Sequence, residues 1–110
     1  MLRCDVATVT GRGAGLNDSG LEKKIRVIES AIKKYDLYNK DTFEILMTVG
    51  GLDIAGLVGV CIGGALYHIP VVLDGVISMV SALAAGRILS GVTDFIIPSH
   101  DFHLTCDKYI

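Results

Sequence analysis

Asp74, Ser78, Ser99, His100, Asp101 and His103 are the side chains of this 110-residue sequence whose types and spacing could do chemistry. Asp74 and Ser78 lie one helical turn apart, directly after the apolar run Ile69-Pro70-Val71-Val72-Leu73. That run reads as a short buried strand that stops at Asp74-Gly75 and feeds a helix. In an open α/β sheet small ligands bind at the carboxyl ends of the strands, so an acid, a glycine and a hydroxyl at this point form a candidate site. Ser99-His100-Asp101 invites a hydrolase reading. Side-chain alternation argues against it, because neighbours at a strand end point in opposite directions. His100 then reads as a structural or ligand-orienting residue and His103 as a solvated one. A metal site built from His100, Asp101, His103 and Cys106 matches no recognised ligand spacing, and no metal is expected.

The elements that must position these groups follow from periodicity. Leu21, Ile25, Ile28, Ile32 and Tyr35 recur at helical spacing, and Glu22, Lys23, Lys24, Arg26, Glu29, Lys33 and Lys34 take the remaining surface. This predicts a helix over 21–35, capped by Asp18 or Ser19. Before it, the run from Gly11 to Gly20 holds four glycines with Asn17, Asp18 and Ser19. It reads as a structural loop more readily than as a phosphate cradle, since its glycines do not fall as G-x-G-x-x-G. Asp41-Thr42-Phe43-Glu44 has the form of a capping box and starts a short helix ending at Gly50-Gly51. A helix over 52–67 follows, apolar round nearly its whole circumference and so expected to be buried on most sides. Its glycines 56, 59, 63 and 64 each cost about 1 kcal/mol of helix stability relative to alanine, which close packing should offset. The Gly50-Gly51 end, as a helix N-terminus, suits an anion or ribose phosphate. A helix over 76–89 presents Met79, Leu83 and Arg87 on one face, and Asp94-Phe95-Ile96-Ile97-Pro98 reads as a second buried strand. Helix, strand, helix, strand is an α/β unit of a parallel sheet, and two strands are too few for a sheet that needs cover on both faces. The last ten residues lose all periodicity and read as a tail.

Composition limits the function classes. With 51% hydrophobic and 20% charged residues the chain is globular and rather apolar, of a size for one domain. A net charge of -2 leaves no basic excess for a phosphate backbone, so nucleic-acid binding is not expected. The charge-free runs 54–67 and 75–86 fall short of the roughly 20 residues of a spanning helix, so no membrane segment is expected. The start, Met-Leu-Arg-Cys-Asp, lacks the apolar core of a secretory signal. Cys4, Cys61 and Cys106 form no C-x-x-C pair, which suits reduced thiols in the cytoplasm, with Cys61 a core filler.

Four blocks carry a resemblance: Thr10-Gly11-Arg12-Gly13-Ala14-Gly15-Leu16, Val49-Gly50-Gly51-Leu52-Asp53-Ile54-Ala55-Gly56, Ile69-Pro70-Val71-Val72-Leu73-Asp74-Gly75 and Ile97-Pro98-Ser99-His100. In order and spacing they resemble the nicotinate-nucleotide-dimethylbenzimidazole phosphoribosyltransferase family over nearly all of residues 1–100. The resemblance implies an α/β fold, here a piece of a doubly wound, Rossmann-like parallel sheet with flanking helices. It divides the chain into a partial phosphoribosyltransferase domain over 1–100 and a divergent tail over 101–110. It implies transfer of phosphoribosyl from nicotinate mononucleotide to 5,6-dimethylbenzimidazole, giving α-ribazole phosphate for cobalamin, with no metal or other cofactor.

The resemblance also implies roles. Gly51 and Ser78 would contact the phosphoribosyl group, with Gly50, Asp74 and Gly75 in support and Asp74 shaping the turn. The family's general base is a glutamate shortly after Ser-His, and at its place stands Leu104, which cannot take a proton. The family's Gly-x-Gly-Asn-Thr-Thr segment has no counterpart in the sequence. These departures lead to the expectation of an incomplete chain, inactive alone. Partners implied are nicotinate mononucleotide, a benzimidazole-type base, and a homodimer mate or related subunit. The alternative is a non-catalytic chain that binds a nucleotide or pairs with such a subunit.

Overall fold

The computed structural model describes residues 4–100. They fall into two compact units that divide between Lys40 and Asp41. In the first unit a short helix α1 (Val6–Val9) is capped by Asp5, whose carboxylate accepts from the Thr8 N–H at 2.8 Å and the Thr8 hydroxyl at 2.7 Å. Those two bonds favour the charged form and hold the Asp5 carboxyl below its ordinary range. Helix α2 (Asp18–Lys34) begins earlier than its apolar pattern indicates. Its cap is Asn17 rather than Asp18 or Ser19. The Asn17 side-chain oxygen accepts from the Gly20 N–H at 2.9 Å, which leaves Asp18 in the first turn, where a negative charge suits the helix dipole. Leu21, Ile25, Ile28 and Ile32 form the half-buried face as expected, whereas Tyr35, expected on that face, is the exposed C-cap residue; the charged residues face solvent. The chain leaves α2 through Asp36, held in the left-handed region at φ 50° and bonded through its carboxylate to the Asn39 amide. It then enters a 3-10 turn at Leu37–Asn39.

The second unit opens with α3 (Thr42–Val49), whose capping box forms as its sequence predicts. Asp41 accepts from the Glu44 N–H at 2.8 Å, and Glu44 accepts from the Asp41 N–H at 3.1 Å. Helix α4 (Leu52–Leu66) ends in a Schellman motif, with the Ile69 N–H on Gly64 O at 2.8 Å and the His68 N–H on Ala65 O at 3.2 Å. His68 takes the left-handed position at φ 57°, where glycine is usual, and its ring meets Phe95 edge-on at 5.4 Å. Strand β1 (Val71–Leu73) leads to α5 (Val76–Ile88), then to a 3-10 turn at Val92–Phe95 and strand β2 (Ile96–Pro98). Asp94 and Phe95, expected in the strand, belong to the 3-10 turn. The fully buried Val92 packs this turn against α4 and α5, so tertiary contact overrides the local strand pattern.

The two strands pair in parallel, with Val71 opposite Ile96, Val72 opposite Ile97 and Leu73 opposite Pro98. The unit is therefore α/β. Its core gathers Val58 and Cys61 of α4, Leu73 of β1, Ala82 and Ala85 of α5, and Val92. One expectation needs correction. Helix α4 is buried along one side only, because one helix, one strand and one turn cover it within the described residues; Leu52, Val60 and Leu66 on its other side are exposed. The buried face of α5 is the small one, Ser81, Ala82 and Ala85, while Arg87 is exposed. Small side chains let α4 and α5 approach closely, and the Ser81 hydroxyl is satisfied by Ile77 O at 2.8 Å. Among the described residues no helix is long and apolar enough to cross a membrane.

Candidate functional site

The carboxyl end of the sheet gathers most of the candidate side chains. The ladder continues one step past β2, where the Ser99 N–H donates to Leu73 O at 3.0 Å, and this sets Ser99 beside Asp74 at the strand ends. Gly75 is the N-cap of α5 and supplies no side chain. Ser78, at the third helical position, replaces it. The Ser78 hydroxyl accepts from the N–H groups of Asp74 and Gly75, each at 3.1 Å, and donates to Gly75 O at 2.8 Å. Ser78 therefore holds the turn assigned to Asp74. The Asp74 carboxylate is exposed and makes no hydrogen bond or ion pair among the described residues, so it does not cap the helix. The reason is positional: Asp74 precedes the cap residue, and a cap side chain must sit on the cap itself to reach the first-turn N–H groups.

Ser99 and His100 lie in a bend after β2, and strand alternation does not govern them there. The Ser99 hydroxyl and His100 Nδ1 are hydrogen-bonded at 2.8 Å, contrary to the expectation that they point apart. Asp101, His103, Leu104 and Cys106 lie outside the described residues. Among the described residues no three His, Cys, Asp or Glu side chains converge as a metal group would require. Cys61 is buried in the core, and desolvation pushes its thiol up, which suits packing rather than reactivity.

At the junction of α3 and α4, the two glycines have different reasons to be glycine. A Cβ on Gly50 would fall 2.5 Å from Leu46 O in the last turn of α3, a backbone atom that cannot move aside. At Gly51 the space that a Cβ would take is filled by the Asp53 carboxylate, folded back over the first turn of α4. A negative group there is stabilised by the unpaired N–H groups and the helix dipole. The N-terminus of α4 thus already carries an anion, which sequence reasoning missed; an acid two residues after a cap glycine was the available signal. Among the described residues no hydrogen bond joins Gly50-Gly51 to the Asp74–Ser78 turn, although α3, whose C-cap is Gly50, packs against α5.

The glycine-rich run of the first unit is tied down by its own helix. Lys24 Nζ donates to Gly11 O at 2.9 Å, and Arg12 pairs with Asp18 and donates to Leu16 O at 3.2 Å. Gly13 and Gly15 have φ of 66° and 79°, the left-handed region that glycine tolerates best. Both cations next to the loop are engaged within it, which favours the structural-loop reading.

Comparison with known proteins bears on all of these positions. A family model described as phosphoribosyltransferase matches residues 1–107. A Clostridium perfringens protein named nicotinate-nucleotide–dimethylbenzimidazole phosphoribosyltransferase is 42% identical over 100 residues, covering 91% of this chain and 28% of its own length. Proteins of the same name from Chloroflexus aurantiacus and a Roseiflexus species are 43% and 45% identical, covering 89% and 86% of this chain and 28% and 27% of their own lengths. The chain thus spans just over a quarter of these curated relatives. No solved structure matches it. Because the family model takes in both units and the strand-end turn, this chain belongs to the phosphoribosyltransferase family.

Proposed function

We propose that this chain forms part of a site that transfers phosphoribosyl from nicotinate mononucleotide to 5,6-dimethylbenzimidazole, yielding α-ribazole phosphate and free nicotinate. The observation that carries the reading is 42–45% identity, over most of the chain, to relatives that all bear the name of that activity. In this reaction a ring nitrogen of the base bonds to C1 of the ribose, the bond to nicotinate breaks, and a carboxylate takes the proton from the base. Gly51 and Ser78 are the proposed phosphoribosyl contacts, supported by Gly50, Asp74 and Gly75. For Ser78 to donate to a phosphate its hydroxyl must release Gly75 O, and for the phosphate to reach Gly51 the Asp53 carboxylate must swing away. Each is a single side-chain rotation.

The wider setting follows from the same reading: a doubly wound sheet of which β1 and β2 are two strands, residues 1–100 within one α/β domain ahead of a divergent 101–110 segment, and a cytoplasmic enzyme that binds no nucleic acid. Pairing with a second copy or a related subunit is part of the proposal, favoured by the exposed apolar residues on the sheet. With Leu104 at the glutamate position, the isolated chain is expected to bind without turning over. Calorimetric titration with nicotinate mononucleotide, beside an assay for α-ribazole phosphate, tests this. Binding without product is the expected result. Product formation would show that another group serves as the base, and absence of binding would overturn the phosphoribosyl site.

A further inference from the structure

Asp74 stands unpaired beside two hydroxyls that are committed to other partners. The ladder step that joins the Ser99 N–H to Leu73 O at 3.0 Å makes Ser99 the cross-strand neighbour of Asp74, and Ser78 lies in the turn that follows it. A hydroxyl is a ready donor to a carboxylate. Ser78, however, donates to Gly75 O at 2.8 Å, and Ser99 is engaged with His100 Nδ1 at 2.8 Å. Among the described residues the Asp74 carboxylate makes no ion pair. It does not cap α5 either, since the Ser78 hydroxyl takes the N–H groups of Asp74 and Gly75. An acceptor with no structural task, at the carboxyl end of a parallel pair of strands, stands where an α/β sheet holds its ligand.

Chemistry narrows which part of a ligand meets it. A carboxylate only accepts hydrogen bonds, so its partner must be a donor. The inference rests on the phosphoribosyl reading, in which the incoming nucleotide is nicotinate mononucleotide. Its phosphate and the carboxylate on its nicotinate ring are anions that accept and that repel Asp74. The pyridinium ring is a cation without an N–H. Only the 2′- and 3′-hydroxyls of the ribose donate, and two adjacent hydroxyls match the two oxygens of one carboxylate. We infer that Asp74 binds the 2′,3′-diol of the ribose and makes the site selective for a ribonucleotide, while Gly51 and Ser78 take the phosphate. The engagement of Ser78 with the turn and of Ser99 with His100 keeps the carboxylate clear for that diol.

The test is calorimetric titration of the full 110-residue chain with nicotinate mononucleotide and with its 2′,3′-dideoxy form, which differ in the diol alone. The parent should bind the ribonucleotide about tenfold or more tightly than the dideoxy form, as the loss of a hydrogen bond to a charged group requires. Asp74→Ala should bring that ratio to about one, and Asp74→Asn, which keeps one acceptor oxygen and loses the charge, should give a ratio in between. The ratio is the readout because removing a charge also alters how the phosphate is held, and does so equally for both nucleotides. Both variants should stay folded by circular dichroism, since the Asp74 side chain is exposed. Equal binding of the two nucleotides by the parent, or an Asp74→Ala protein that keeps the parent's ratio, would overturn the diol assignment and leave the phosphoribosyl site standing. If the parent binds neither nucleotide, the phosphoribosyl reading falls and takes the diol assignment with it.

Discussion

Alanine at Gly59 should stabilise this chain and alanine at Gly64 should not, although both replace a glycine in the same helix. At Gly59 a Cβ would meet nothing within 4 Å, so the substitution brings only helix propensity and a stabilisation of about 1 kcal/mol. At Gly64 the Cβ would lie 2.6 Å from Val71 Cγ2 and 2.8 Å from Ile69 O. Val71 is a β1 residue packed against the core and Ile69 O is backbone, so neither yields without moving the α4–β1 connection. Overpacking of this kind costs about 1–3 kcal/mol and offsets or exceeds the same propensity gain. For a domain of this size 1 kcal/mol corresponds to roughly 4–8 °C in midpoint, so the two variants should separate clearly in thermal and urea unfolding followed by circular dichroism. A Gly64→Ala protein as stable as Gly59→Ala would refute the close contact between α4 and β1. A destabilised Gly59→Ala protein would refute the open outer face of α4.

Ser78→Ala should destabilise the chain by about 1 kcal/mol, because the N–H groups of Asp74 and Gly75 lose their acceptor at the start of α5; Asp74→Ala should cost much less, and equal effects in urea unfolding would contradict the assignment of the turn to Ser78. Cys61 should resist alkylation in the folded chain and react on unfolding. With its thiol raised above the ordinary 9.0 by burial, folding favours the protonated form, so this contribution to stability is complete below about that pH and falls as pH rises beyond it. A folded Cys61 that reacts as fast as in urea would contradict its burial.

Local rules sufficed where both partners of an interaction are close in sequence. The Asp41–Glu44 capping box and the half-buried stripe of α2 were legible, because each depends on spacings of a few residues and on propensity alone; the apolar runs 69–73 and 94–98 did mark two strands, but these span only Val71–Leu73 and Ile96–Pro98 and leave Val72 and Ile97 exposed where buried strands were expected. The identity of the Ser78 turn was legible only in part: its residues were evident, but which side chain holds it depends on where the cap falls, and that differed by one residue from Asp74 to Gly75. The extent of the second strand, the buried face of α5 and the bond between Ser99 and His100 were not legible. Asp94 and Phe95 have strand-like neighbours, yet Val92 is drawn into the α4–α5 core and winds them into a 3-10 turn. The α4 glycines show the division most plainly. Composition identified four positions of equal cost, and only the packing of α4 on β1 made Gly64 sterically necessary while leaving Gly56 and Gly59 open, since a contact across the α4–β1 reversal depends on distances that no local spacing encodes.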